Sequence, residues 1–373
     1  MVLDFDLNED QKILRSMAHD FLVVECPKKL VKEMVKDEKG YSPELWRKIS
    51  ELGWMGLVFP EKYGGAGGSF LDLAVLLEEM GRVCLPGPYF STVVLGGMTI
   101  LNMGNEAQKK DLIPKIVQGE LIVTLALAEP GVRYNIGNLS TRATESGDNF
   151  IIDGTKLFVS DAHIADSIIC VARARQGITL FLIDGKSSGI RCTMLKTIAG
   201  DKQCEVNFER VKVPRENILG ELGNGRQALE ETLRKATVAK CAEMVGGAQQ
   251  VMNMTLDYAK ERVQFGRPIG SFQVIQHYLA NMLTDVESAR FVTYEAAFDL
   301  NRGLPAIKQV SVAKAWVSEA FRRVTAIGHQ IHGGIGFSAD YDLYLYFRRA
   351  KAAEVTLGDP EFHRQIVAQE IGL

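Results

Sequence analysis

No apolar run in this sequence reaches the roughly 18 to 20 residues needed to cross a bilayer, so a helical membrane span is excluded. The opening residues, MVLDFDLNEDQKIL, are acidic. They lack the basic-then-apolar order of a secretory signal and the Arg/Ser richness of a transit peptide. The six cysteines (Cys26, Cys84, Cys170, Cys192, Cys204 and Cys241) are scattered without a C-x-x-C pair. That pattern fits reduced thiols in a cytoplasmic protein better than a disulfide frame or a zinc site, and no metal is expected. An excess of one charge is also missing. The formal net charge of −3 leaves no electrostatic footprint for nucleic acid or an anionic membrane. What is present is ordinary for a globular protein: 46% hydrophobic and 24% charged residues. A chain of 373 residues suits two or three packed domains.

Three textures follow one another, and they predict an α+β multi-domain protein. Residues 1–121 read as a helical domain. SPELWRKISELGWMGL offers Ser42 as N-cap, Pro43 at the first helical position and apolar residues at 45, 49, 52 and 54. SFLDLAVLLEEMGRV and NEAQKKDLIPKIVQG continue the helical pattern, the second ending on Gly119. Between them EKYGGAGGSF has glycines like a phosphate loop, but no strand run precedes it and no Gly-Lys-Ser/Thr follows. A mobile connection between helices is the reading. Residues 122–225 hold short β-branched and aromatic runs separated by Asp-Gly and Ser-Ser-Gly turns, which predicts a small antiparallel barrel or sandwich. Residues 226–373 return to long helices at about 227–260, 271–302, 305–331 and 341–370, a four-helix bundle.

One stretch interrupts that bundle: ERVQFGRPIGSFQVIQH, where Gly266, Pro268 and Gly270 fall within five residues. With LALAEPG (125–131), KLFVSDA (156–162) and QIHGGIGFSADYDLYLYFRRAK (330–351) it resembles the signature segments of the flavin-dependent acyl-CoA dehydrogenases. The resemblance runs from about residue 5 to 370, and the helical–β–helical order is that of the family. It implies FAD as cofactor, an acyl-CoA substrate and an electron-transfer flavoprotein as electron acceptor. It also implies an oligomer, either a homotetramer built as a dimer of dimers or a heterotetramer with a paralogous subunit.

Carried over residue by residue, the resemblance casts Arg262, Gln264, Phe265 and Gln273 as nucleotide contacts. An arginine can grip a pyrophosphate bidentately, an aromatic ring can cover adenine or ribose, and Gly266 lets the backbone turn. Gln330, Gly333 and Gly334 are cast as contacts to the FAD of a neighbouring subunit, with Asp359 as a further nucleotide contact. At the flavin ring it places Leu127, Ala128, Phe158 and Ser160. Phe158 stands where the family often has Trp, Ser160 replaces Thr, and Ala128 leaves one side-chain hydrogen bond missing.

The family reaction removes the α-proton of an acyl-CoA thioester and transfers the β-hydrogen to the flavin as hydride, giving a 2-enoyl-CoA. It needs a buried carboxylate as base. Counting from Gln330 puts Leu357 where most members carry that Glu, and Ala236 stands where a smaller group carries it. The chain therefore resembles a branch without the usual base. The nearest acid on the Ala236 face of the helix is Glu243, and positions 236, 240, 243 and 247 share that face. Periodicity alone makes Lys240 and Glu243 a solvated i, i+3 pair, opposite an apolar stripe at 238, 241, 245, 248 and 252. The small residues Ala236 and Gly247, and the face that the resemblance turns toward the acyl chain, instead make Glu243 the candidate base, with Ala236, Lys240 and Leu357 lining the substrate pocket.

Three readings stand. The first is α,β-dehydrogenation of an acyl-CoA in lipid or organic acid catabolism, with a polar, branched, cyclic or dicarboxylic acyl group if Lys240 and Glu243 line the pocket. The second is another elimination on the same fold. The third is a non-catalytic, FAD-sharing subunit of a heteromeric dehydrogenase. Glu354 and Asp161 are further acids, His163 follows the flavin-facing segment, and His329 and His332 share a helix face without a third metal ligand.

Overall fold

The computed structural model describes residues 7–132, 134 and 136–373. The first six residues of the acidic N-terminal stretch, and positions 133 and 135, lie outside the described residues. The helices run in the order α1 (Glu9–Glu25), α2 (Lys28–Lys36), α3 (Pro43–Glu51), α4 (Phe70–Val83), α5 (Met98–Met103), α6 (Glu106–Val117), α7 (Gly225–Glu261), α8 (Gln273–Asn301), α9 (Ile307–His332), α10 (Leu343–Val355) and α11 (Pro360–Glu370). Strands β1 (Val123–Ala126), β2 (Arg142–Ser146), β3 (Asn149–Ser160), β4 (Ser167–Ala174), β5 (Gly177–Asp184), β6 (Ile190–Leu195), β7 (Gln203–Pro214) and β8 (Ile218–Leu219) separate α6 from α7. Packing divides the chain into two units: one of Met1–Lys32, Ser69–Leu85 and Thr237–Leu373, the other of Glu33–Gly68 and Pro86–Ala236.

The second unit is built on one sheet in the order β6-β7-β3-β2-β4-β5-β8. Most neighbours are antiparallel, but the sheet is mixed. β1 lies parallel to β4 from Val123↔Ser167 to Ala126↔Cys170, and β2 meets β4 in parallel at Arg142↔Arg173. β1 follows α6 directly and leaves into a loop rather than a hairpin, so nothing forces it to run antiparallel to its neighbour. Ser42 caps α3 as its sequence predicts, accepting from the Leu45 amide at 3.3 Å, with Pro43 in the first turn. The glycine-rich EKYGGAGGSF connection is pinned rather than mobile. The amides of Ala66, Gly67 and Gly68 donate to the carbonyls of Gly56, Phe59 and Leu57 at 2.9, 2.9 and 2.8 Å.

The first unit contains α1, α4 and the C-terminal helices. Here α4 and α7 cross with their backbones touching. A Cβ at Gly81 would collide with the Glu243 carbonyl, and one at Gly246 with the Glu78 carbonyl. The Glu78 carboxylate is buried and ties three helices together. It accepts from Arg290 Nε at 3.1 Å and Tyr294 Oη at 2.8 Å on α8, and from Arg15 on α1 at 3.5 Å. The segment 341–370 is two helices rather than one. Leu357 and Gly358 take positive φ (+61° and +111°), and Asp359 then caps α11, its carboxylate accepting from the Phe362 amide at 2.8 Å with Pro360 in the first turn. Asp-Pro is a start signal for a new helix, and it falls in the middle of an unbroken apolar pattern.

Candidate functional site

In the sheet unit the structure brings Leu127, Ala128, Phe158 and Ser160 together. Past β1, the half-buried Leu127 and exposed Ala128 lie beside the end of β3, where the Leu157 amide donates to the Ala128 carbonyl at 2.8 Å. The register of β3 against β7 slips between Lys156 and Val159, and the bulge gives Phe158 a φ of +54°. A non-glycine residue in the left-handed region is uncommon and costs energy unless its surroundings enforce it. The outcome is a phenylalanine ring 61% exposed, between the buried Lys156 and Val159. The Ser160 carbonyl is held by Thr124 Oγ1 at 2.6 Å.

Beneath this surface is an ion pair that sequence reasoning missed, although both residues lie inside the quoted motifs. Lys156 and Glu129 are both 0% exposed and 2.7 Å apart. Lys156 Nζ also donates to the Leu127 carbonyl at 3.1 Å, and Glu129 accepts from Ser140 Oγ at 2.7 Å and the Thr141 amide at 3.1 Å. Burial pushes the Glu129 carboxyl up, but the hydrogen bonds from Lys156 and Thr141 outweigh it and hold the group down to about 2. Nearby, Asp161 accepts from Ser91 Oγ at 2.6 Å, and His163 donates through Nε2 to the Glu38 carbonyl at 3.0 Å, so both of these polar groups are engaged within the protein.

In the helical unit the break after α7 is a two-residue hairpin, Val263–Gln264 against Arg267–Pro268, with Phe265 and Gly266 at its tip in the left-handed region (φ +53° and +78°). Arg262, Gln264, Phe265 and Gln273 are exposed, Phe265 almost completely at 93%. The Arg262 guanidinium has no partner among the described residues, whereas Arg267 lies over the Phe272 ring at 4.2 Å. The end of α7 is fastened to the end of α9 by Tyr258 and His332, whose rings stack at 4.3 Å, and His332 Nε2 lies 3.0 Å from Tyr341 Oη. The two signature segments therefore emerge at the same end of the bundle. Gln330, Gly333 and Gly334 are exposed there, Gly333 has a φ of +63°, and a Cβ at either glycine would meet no atom within 4 Å. His329 Nδ1 donates to the Thr325 carbonyl at 2.9 Å and its ring lies between Phe337 and Phe347, so the two histidines serve packing.

Lys240 and Glu243 form the expected i, i+3 ion pair, but not a solvated one. Their side chains are only 17% and 24% exposed. Both ends of the 236–247 face are covered: Ala236 is buried, and the ring of Phe321 on α9 occupies the space where a side chain at Gly247 would be. The smallness of Gly247 thus accommodates a neighbouring helix. Leu357 sits at the positive-φ turn between α10 and α11, half-buried. That turn is held from two sides by residues absent from the sequence reading. Lys314, fully buried on α9, reaches the carbonyls of Ala353, Glu354 and Gly358 at 3.0, 3.0 and 2.9 Å, and Ser318 Oγ at 3.0 Å. It closes the C-terminal end of α10, and burial draws its ammonium down to about 8. His363 Nε2 donates to the Leu357 carbonyl at 3.0 Å. A lysine in the apolar run SVAKAW was the available signal. Glu354 lies within 3.7 Å of Arg322 and 3.9 Å of Lys351, and Asp359 is committed to its helix cap.

Three family models cover nearly the whole chain: the N-terminal, middle and C-terminal domains of acyl-CoA dehydrogenase, over residues 8–120, 124–211 and 223–372. The chain belongs to the acyl-CoA dehydrogenase family. Among relatives of this dehydrogenase, the short/branched chain specific acyl-CoA dehydrogenase of Bos taurus mitochondria is 34% identical over 349 residues, 91% of this chain and 80% of that protein. The 3-(aryl)acrylate reductase of Clostridium sporogenes is 32% identical over 373 residues, 97% of this chain and 98% of that one. Among solved structures, the butyryl-CoA dehydrogenase of Megasphaera elsdenii superposes with a TM-score of 0.90 at 31% identity, covering 99% and 100% of the two chains.

Proposed function

We propose that this acyl-CoA dehydrogenase binds FAD and converts an acyl-CoA thioester to its 2-enoyl-CoA, with an electron-transfer flavoprotein as acceptor. Bound FAD supplies a hydride acceptor at its N5. The chain's own part is to bind, orient and deprotonate. The unpartnered guanidinium of Arg262, with Gln264, Phe265 and Gln273, fits an anionic dinucleotide, and the open space at Gly333 and Gly334 lets a ligand approach their backbone. Leu127, Ala128, Phe158 and Ser160 take the ring. Glu243 receives the α-proton, and Lys240 beside it forms an ion pair that orients the carboxylate. Ala236, Lys240 and Leu357 line the acyl end, and a cation there selects a polar, branched, cyclic or dicarboxylic acyl group. Asp359 acts on the nucleotide through the position of the α11 N-terminus.

The observation that carries this reading is the β3 bulge, which spends backbone strain to expose Phe158 beside Ala128 and Ser160. Large exposed apolar side chains on α8, α9 and the segment after α9 (Val274, Phe291, Trp316 and Phe337) support an oligomer, a dimer of dimers of this chain or a heterotetramer. No helix among the described residues is long and apolar enough to cross a membrane, in keeping with a cytoplasmic enzyme. The test is to purify the protein, record its flavin absorption and add a panel of acyl-CoAs with an artificial electron acceptor. Bleaching by one acyl class is expected; bound flavin inert to every saturated acyl-CoA overturns the reaction.

A second reading rests on the base. Leu357 and Ala236 carry no acid, and Lys240 already occupies the Glu243 carboxylate. On that reading the chain is the FAD-sharing half of a heteromer, or it runs another elimination. Colourless protein that takes up FAD only with a co-expressed paralogue supports the heteromer.

A further inference from the structure

The geometry points to Lys156 and Glu129 as a positioning pair for the flavin: a buried clamp that locks the 127–129 turn onto the irregular end of β3, so that Ala128, Phe158 and Ser160 are presented as one rigid surface. This inference rests on the proposed flavin site and assigns the residues behind it.

The pair has features that packing alone does not require. Two opposite charges with no solvent exposure cost much to desolvate, and similar-sized apolar residues would serve stability at least as well. What apolar residues cannot do is bond the backbone. Lys156 Nζ bridges from the Glu129 carboxylate (2.7 Å) to the Leu127 carbonyl (3.1 Å), and so grips the turn at two of its three residues. The Glu129 carboxylate also accepts from Ser140 through its other oxygen and from the Thr141 amide through the oxygen it shares with Lys156, which fixes the far end of the loop that begins at this turn. Next along β3, the Leu157 amide takes the Ala128 carbonyl at 2.8 Å, and the residue after it is Phe158 in its left-handed conformation. Lys156 is the last residue paired with β7 before the register slips, so one side chain both borders the bulge and carries the bond that holds the turn against it. A left-handed phenylalanine persists only where neighbouring bonds enforce it.

The test compares wild type with Lys156→Met, Lys156→Arg and the double variant Lys156→Met/Glu129→Gln. The double variant removes both charges together and so leaves no unpaired buried ion. Two readouts are taken on each full-length protein. The first is amide hydrogen exchange without flavin. In the double variant Leu157, Ser140 and Thr141 are expected to exchange at least about tenfold faster while β4 and β5 keep their protection. The second is the FAD dissociation constant, together with the position of the flavin absorption bands. The constant is expected to rise about tenfold or more and the bands to move, with partial recovery in Lys156→Arg. Unchanged exchange overturns the clamp. Faster exchange with unaltered flavin affinity and spectrum overturns the positioning role, leaving a purely structural pair. A wild-type protein that takes up no FAD overturns the proposed function and with it the ligand of the clamp, whereas a wild type that binds FAD while the double variant binds it equally well overturns the positioning role alone.

Discussion

The imidazole of His363, on α11, donates from Nε2 to the carbonyl of Leu357, 3.0 Å away, and Ser311 Oγ lies 3.2 Å from its Nδ1. This bond and the Lys314 ammonium hold the turn between α10 and α11, at the place where relatives of this chain are expected to carry their base.

Burial pushes the His363 imidazole down from 6.5 to about 4, so the folded protein keeps it neutral where the unfolded chain would protonate it. Between those two values the unfolded state binds more protons, and stability must fall as pH drops from about 6.5 to 4. The full effect of one such group is about 3 kcal/mol. Urea titrations at pH 7, 5.5 and 4 measure it, and His363→Gln is expected to flatten the slope. An unchanged slope in that variant would place the acid sensitivity elsewhere.

If Glu243 is the base, Glu243→Gln should slow acyl-CoA-driven flavin reduction about 100-fold or more while FAD stays bound. Lys240→Met gives the complementary result. Removing the ion-pair partner that orients the Glu243 carboxylate should slow flavin reduction less than loss of the carboxylate itself, about 10-fold. Stopped-flow absorbance distinguishes the two variants by the size of the loss, and equal rates in wild type and Glu243→Gln would remove Glu243 from the chemistry.

Leu357→Glu tests the turn itself. Leucine and glutamate bear the same penalty at a φ of +61°, so the backbone held by Lys314 and His363 should persist. The variant is expected to bleach its flavin with short unbranched acyl-CoAs at least about tenfold faster than wild type, a gain that a misfolded protein cannot imitate. No gain with any acyl-CoA would mean that the turn does not address the substrate.

Arg262→Met should leave the fold alone, because the side chain is exposed and unpartnered, yet raise the FAD dissociation constant about 10- to 100-fold through loss of a charge-assisted contact. Fluorescence titration with FAD measures it, and circular dichroism checks the fold. Native affinity in the variant would turn the hairpin back into a plain helix connection.

The legible parts of this chain are those where local chemistry and tertiary structure agree. Ser42–Pro43 starts a helix, Gly266 turns a hairpin, and the stripe Val238, Cys241, Val245, Ala248, Met252 is buried along α7 as its spacing requires. The unread parts depend on contacts distant in sequence. Periodicity placed Lys240 and Glu243 in solvent because it counts only one helix, while Phe321 from α9 covers the same face. The break at Leu357–Gly358 was hidden because apolar spacing continues through it, although Asp359–Pro360 spelled a new start. Lys156 and Lys314 escaped notice because nothing in a lone charged residue tells whether carbonyls 29 to 44 positions away will gather round it.

At Gly81 and Gly246 two main chains rest directly on each other, with no side-chain cushion between them. Helices seated this way have no slack to slide, so the stretch of α7 that carries Glu243 can shift only if α4 shifts with it. The two glycines make a fixed strut behind the helix, and a bulkier residue at either point would be felt first as a displaced carboxylate at 243.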